Sequence, residues 1–303
     1  MTDPKPGSAG STAREDEPSA APLTPEEQAR EQASAQQRKQ AGYLTLLGTL
    51  GGIAVLPYMF VLQADKIAET IQKAGASLPG IVTVMVAQTA IQVLLGTLLG
   101  LWAARKVGLS APVTQALSEG QPAWPVIRRF ALAAVLWGIA LGVVTCVLDA
   151  LVFVPRLPVL QQLGRDALAK HSVWRAALSC FYGAFTEEIL MRLFLLSLTA
   201  VGLQALLPKA SRDAMPRQVI LLGAALVAAV MFGIGHLPAM SALTKLTPLL
   251  VGRTVAVNGL AGLGFGFLFT RYGLEAAMLA HLCTDGILHL VVPALYQAGL
   301  LSA

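Results

Sequence analysis

The sequence predicts an all-α polytopic membrane helix bundle of about seven to eight transmembrane helices, and three observations carry that prediction. Of 303 residues, 55% are hydrophobic and only 13% charged, against roughly 25% charged in a water-soluble domain. Long uncharged runs recur, and about 20 apolar residues suffice to cross a bilayer. The basic residues collect between these runs, as they do in the cytoplasmic loops of membrane proteins.

Residues 1–40 are rich in Ala, Ser, Gln, Glu and Pro and almost free of large apolar side chains. Such a composition cannot bury a core, so this stretch is expected to be a disordered cytoplasmic tail. It lacks the short apolar core of a signal peptide. The N-terminal transmembrane helices follow over 41–155. Their apolar runs are 41–64, 74–104 and 130–148, the last preceded by Arg128 and Arg129. Residues 155–173, with Pro155, Pro158 and Gly164, read as an interfacial helix or a connecting loop. A core over 170–296 contains the other four runs, 176–203, 218–237, 248–270 and 274–296, and an eighth half-span is open over 238–250 or at the C-terminus. Gly48 with Gly52, Gly96 with Gly100, Gly138 with Gly142 and Gly262 with Gly266 have the small-xxx-small spacing that lets helices approach in lipid, and are read as packing positions.

Arg38, Lys39, Arg105, Lys106, Arg128, Arg129, Lys209, Arg212 and Arg217 fall on one side of the seven-span arrangement. The opposite side holds Lys66, Lys73, Arg156, Arg165, Lys170 and Lys245. The bias expects a cytoplasmic N-terminus. The net charge of +5 is explained by these loops, and with few aromatic residues near the basic ones no nucleic-acid partner is expected. Cys146, Cys180 and Cys283 are an odd set within apolar runs without CxxC spacing, and are read as packing residues.

Four charges sit deep within the apolar runs: Glu187, Glu188, Arg192 and Asp285. Each would cost about 2.5–3.5 kcal/mol unpaired near a bilayer centre, so pairing or a hydrated cavity is required. Glu188 and Arg192 are four residues apart and share a helix face, so they can form an ion pair. Glu187 points about 100° away and is free for proton transfer. His236 ends the run 218–237, and His281 lies four residues before Asp285, with His289 continuing that face. A lone membrane histidine is more often a packing or hydrogen-bonding residue, and His289 is read that way. Two glutamates and an arginine on one span, a histidine on the next and His-x-x-x-Asp on a later one supply a base, a water-positioning group and a polarising group together.

On these residues the sequence resembles the CPBP family: type II CAAX prenyl endopeptidases, bacteriocin-processing relatives and abortive-infection-like membrane proteins. The family pattern is EExxxR, FxxxH and HxxxN or HxxxD on successive membrane helices. Here it reads Glu187-Glu188 with Arg192, Phe232 with His236, and His281 with Asp285. The resemblance implies intramembrane hydrolysis of a peptide bond in a membrane-associated protein or peptide, with the lipid bilayer as the other partner. Glu187 would be the general base and His236 its partner, with Glu188 and Arg192 shaping the site. Oxyanion stabilisation would fall to His281, with Asp285 orienting it or binding metal, since an ionised carboxylate donates no hydrogen bond. The family is commonly classed as metalloprotease, in which case Glu187, His236, His281 and Asp285 are the Zn2+ ligands. No HExxH is present, and a glutamate-activated water accounts for the same residues. The long Ala- and Gln-rich tail suggests a bacterial inner-membrane protein. A proton-coupled transporter and a non-catalytic membrane scaffold are the rival readings, and no internal repeat supports the former.

Overall fold

A computed structural model describes residue 2, residues 24–208, residue 210 and residues 215–301. Among these the secondary structure is helical, without strands. Among the described residues seven helices are long and apolar enough to cross a membrane: α1 (Pro25–Leu62), α2 (Leu78–Lys106), α3 (Ala131–Arg156), α4 (Val173–Leu206), α5 (Arg217–Leu243), α6 (Pro248–Tyr272) and α7 (Leu274–Gln297). The expected eighth half-span is not separate, because the short helix Leu237–Leu243 continues the fifth span.

Two compact units are present, residues 1–35 and 36–303. In the first, the helix already begins at Pro25, within the stretch expected to be disordered. A capping box explains the start: the Thr24 amide donates to Glu27 Oε2 (2.8 Å), and the Glu27 amide donates to Thr24 Oγ1 (3.3 Å). The Ala, Gln, Glu and Arg that follow are strong helix formers. Most of the expected tail before Thr24 lies outside the described residues, as do Lys209 and Arg212 of the basic loop.

In the second unit, the buried apolar core joins Leu44 of α1, Val93 of α2, Leu193 of α4, Ala224 of α5, Phe265 of α6 and Ala277 of α7. The strongest pairings are α5 with α6, α3 with α7, and α2 with α4. Leu95, Leu99, Leu132, Leu136, Leu222 and Leu226 project outward, a pattern stable only against lipid. The small residues sit where helices touch. A methyl on Gly100 would stand 2.8 Å from the Leu193 backbone of α4, and one on Gly142 2.8 Å from Ile287 of α7. Ser77 and Thr247 start α2 and α6 by accepting hydrogen bonds from Gly80 N and Leu250 N. Residues 158–169 form the helix read as interfacial or loop, and Ala64–Ala74 forms another amphipathic helix on the same side of the spans.

Candidate active site

The α4 span is α-helical over Val173–Phe181, π-helical over Tyr182–Glu187 and Ile189–Leu196, and α-helical again from Ser197. Wide turns of this kind are frequent at functional sites because they re-aim side chains. Here the two adjacent glutamates part company. Glu188 is fully buried, whereas the Glu187 side chain is 17% exposed.

Glu188 Oε1 stands 3.2 Å from Arg192 Nη1 and 2.7 Å from His281 Nδ1. The expected Glu188–Arg192 pair therefore forms, and the carboxylate also holds the imidazole of α7. Orientation of His281 falls to Glu188 rather than to Asp285, which instead faces Nε2 at 3.6 Å. Arg192, 1% exposed, donates from Nη2 to Gly262 O (3.2 Å) and lies over the rings of Phe232 (4.5 Å) and Phe265 (5.2 Å). Two aromatic faces and a carbonyl thus share a charge that lipid could not solvate.

Phe232 links the motifs. Its carbonyl accepts from His236 Nδ1 (2.8 Å), and its ring stands edge-on to both His236 and His281. A carbonyl only accepts, so His236 carries a proton on Nδ1 and turns Nε2 elsewhere. That nitrogen lies 3.9 Å from Glu187 Oε1. His281, stacked on Phe265 with centroids 4.3 Å apart, places Nε2 3.8 Å from Glu187 Oε2. The Glu187 carboxylate is therefore bracketed by two imidazoles at separations too long for direct hydrogen bonds.

Glu187, His236, His281 and Asp285 line a cavity of about 760 Å³ with mostly apolar walls. Glu188 and Arg192 sit behind it. The cavity extends to Val154, Leu243 and Tyr296, at the ends of α3, α5 and α7 on one face, opposite the basic 105–129 loop. His289 also lines it, packed edge-on against Tyr58. Gly183 floors the site: a methyl there would overlap Asp285 Oδ2 and stand 2.8 Å from His281 Nε2.

Sequence reasoning passed over the cavity's Asp149–Arg253 ion pair and Asn258. Arg253 was visible as a charge inside the run 248–270, whereas Asp149 stood one residue beyond the run 130–148. The expected zinc ligands are not grouped as a metal site. Among the described residues no three His, Cys, Asp or Glu side chains are arranged to hold an ion. The close pairs of the set stand 3.6–3.9 Å apart, against about 3.3 Å for neighbours on a tetrahedral ion with bonds of ~2.0–2.1 Å.

No curated protein and no solved structure matches the chain. The family model described as type II CAAX prenyl endopeptidase Rce1-like matches residues 169–287, a stretch that includes all six charged and histidine residues of the three motifs. The chain is thus an integral membrane protein that over residues 169–287 is similar to the Rce1-like type II CAAX prenyl endopeptidases, a family of CAAX-protease-like intramembrane peptidases.

Proposed function

We propose that the chain hydrolyses a peptide bond of a membrane-associated protein or peptide, with a water activated by Glu187 and His236. The observation that carries this reading is the bracketing of Glu187 by His236 Nε2 at 3.9 Å and His281 Nε2 at 3.8 Å on the wall of one cavity. A water between Glu187 and His236 gives one proton to the carboxylate and hydrogen-bonds the Nε2 lone pair with the other. Its oxygen is then directed at the scissile carbonyl. As the tetrahedral intermediate collapses, Glu187 passes the proton to the leaving amine. His281, held through Nδ1 by Glu188, faces the reacting carbonyl with Nε2, and in the doubly protonated ring that nitrogen donates to the developing oxyanion. Arg192 keeps the Glu188 carboxylate in place and its charge compensated.

The basic 105–129 loop argues for that face being cytoplasmic in a bacterial inner membrane, with the N-terminus inside. The cavity then opens on the outer face, so the substrate bond is presented from the extracytoplasmic side.

The test is cleavage of a panel of membrane-segment peptides by the purified protein in proteoliposomes. Glu187→Ala and His236→Ala should each lower the rate by about 10²–10⁴-fold while the helical circular dichroism is unchanged. Cleavage surviving Glu187→Ala overturns the mechanism. A parallel arm with chelator asks whether Zn2+ joins these residues during catalysis, with loss restored by zinc as the positive result.

A further inference from the structure

Between the first two spans the chain forms a further helix, Ala64–Ala74. One residue, Gln63, separates it from α1, and three, Gly75–Ser77, separate it from α2, so both ends are held at the bilayer surface. The helix stops at Gly75, whose left-handed backbone (φ 58°) turns the chain toward α2. At about 100° per residue, Ala64, Ile67, Ala68 and Ile71 fall within an arc of about 100°, and Asp65, Lys66, Glu69, Thr70, Gln72 and Lys73 fall within an opposite arc of about 160°. No apolar residue stands on the polar side and no polar one on the apolar side. Yet no side chain over 64–73 is buried, and Ile67 and Ile71 are only partly covered by the described residues.

Such a separation has a use only where an apolar and an aqueous phase meet along the helix. That boundary is at hand: the first turns of α2 expose Leu78 and Val84 in the lipid-facing surface of the spans. The polar face holds two acidic and two basic side chains, Asp65 and Glu69 against Lys66 and Lys73, so it carries no net charge to attract an acidic protein or a nucleic acid. We infer that Ala64–Ala74 is an interfacial anchor whose partner is the lipid surface itself: the helix lies in the plane of the bilayer on the face where the cavity opens, with Ile67 and Ile71 among the acyl chains and the four charges toward water. The placement matters for the site. Just before Gln63, Val55 and Tyr58 line the cavity, and the Tyr58 ring stands edge-on to His289. The anchor therefore fixes this wall, and with it the cavity mouth, at the level of the bilayer surface.

The test uses the full-length protein in phosphatidylcholine nanodiscs, which leave both faces open to solvent. With Cys146→Ala, Cys180→Ala and Cys283→Ala in place, Ile67→Cys, Ile71→Cys, Lys66→Cys and Lys73→Cys each carry one NBD fluorophore, and circular dichroism checks the fold. Labels at positions 67 and 71 should lose most of their emission to lipid bearing a nitroxide high on the acyl chain and little to iodide, and labels at 66 and 73 should show the reverse. Because the charges of the helix cancel, phosphatidylglycerol should leave this pattern unchanged. Iodide quenching at 67 and 71 equal to that at 66 and 73 puts the stripe in water and overturns the inference. Shielding of 67 and 71 from both quenchers overturns it too, since another protein surface or a second copy of the chain then covers the stripe. So does a pattern that appears only with phosphatidylglycerol, which makes the charged face the point of contact. A second measurement keeps the natural cysteines: Ile67→Ser with Ile71→Ser should speed tryptic cutting after Lys66 and Lys73 several-fold as the helix leaves the lipid, and an unchanged rate contradicts the anchor. None of these results touches the role of Glu187, which fails only in the cleavage assay.

Discussion

Replacing Arg192 with methionine tests the buried centre of the site. Arg192 and Glu188 are 1% and 0% exposed, and their charges are 3.2 Å apart. Removing the guanidinium leaves the Glu188 carboxylate in the interior with the His281 ring as its remaining close partner. Breaking one side of such a pair typically costs about 3–5 kcal/mol, a large part of the roughly 5–15 kcal/mol that holds a domain together. The stacking of Arg192 on Phe232 and Phe265 is lost too, although the thioether fills much of that space. The double substitution Glu188→Gln with Arg192→Met removes both charges and keeps an amide oxygen facing His281 Nδ1, so it should lose no more than about 1–2 kcal/mol. The assay is reversible unfolding of the four proteins in mixed micelles, read as a double-mutant cycle. A coupling of about 2 kcal/mol or more is expected. An Arg192→Met protein as stable as wild type, or losses that simply add, would refute the account of Arg192 as the compensating charge of Glu188.

Gly183→Ala should cut cleavage by about hundredfold with the fold retained, because its methyl displaces Asp285 and His281 and misplacement on the ångström scale costs that much; unaltered kinetics would show that the site is looser than described. Glu275→Ala should act on stability alone. Its Oε1 accepts from the amide (2.8 Å) and the hydroxyl (3.0 Å) of Thr114, tying α7 to the helix Pro112–Ser118, so a loss of about 1–3 kcal/mol is expected in thermal unfolding, with kcat per folded molecule preserved.

Composition and run length were enough to find the spans, because a bilayer demands about 20 apolar residues whatever the fold. The pairing of Glu188 with Arg192 was legible for a similar reason: four residues make close to one turn in α- and π-helical backbone alike. The link from Glu188 to His281 was not, since 93 residues separate them and local periodicity says nothing about which neighbour a histidine meets. Asp285, one turn from His281, looked like its orienting group, yet it faces the opposite ring nitrogen. The π-helical turns left no signal in the apolar pattern of the span, which reads as one continuous run. Arg253 was overlooked for want of its partner: a single arginine five residues inside a span can be excused by snorkelling, and only the structure brings Asp149 to it. The start of α1 at Pro25 shows the converse limit, for the composition that marks a chain unable to form a core also suits an exposed capped helix.

The central claim is that water, activated at Glu187 between two imidazoles, attacks the peptide bond directly. Single-turnover cleavage in H2(18)O measures this most closely. The account predicts one 18O atom in the new carboxyl terminus at the first turnover and no label in Glu187. Unlabelled product at the first turnover, with 18O found in the Glu187 carboxylate, would mean that the glutamate itself attacks the substrate and would contradict it.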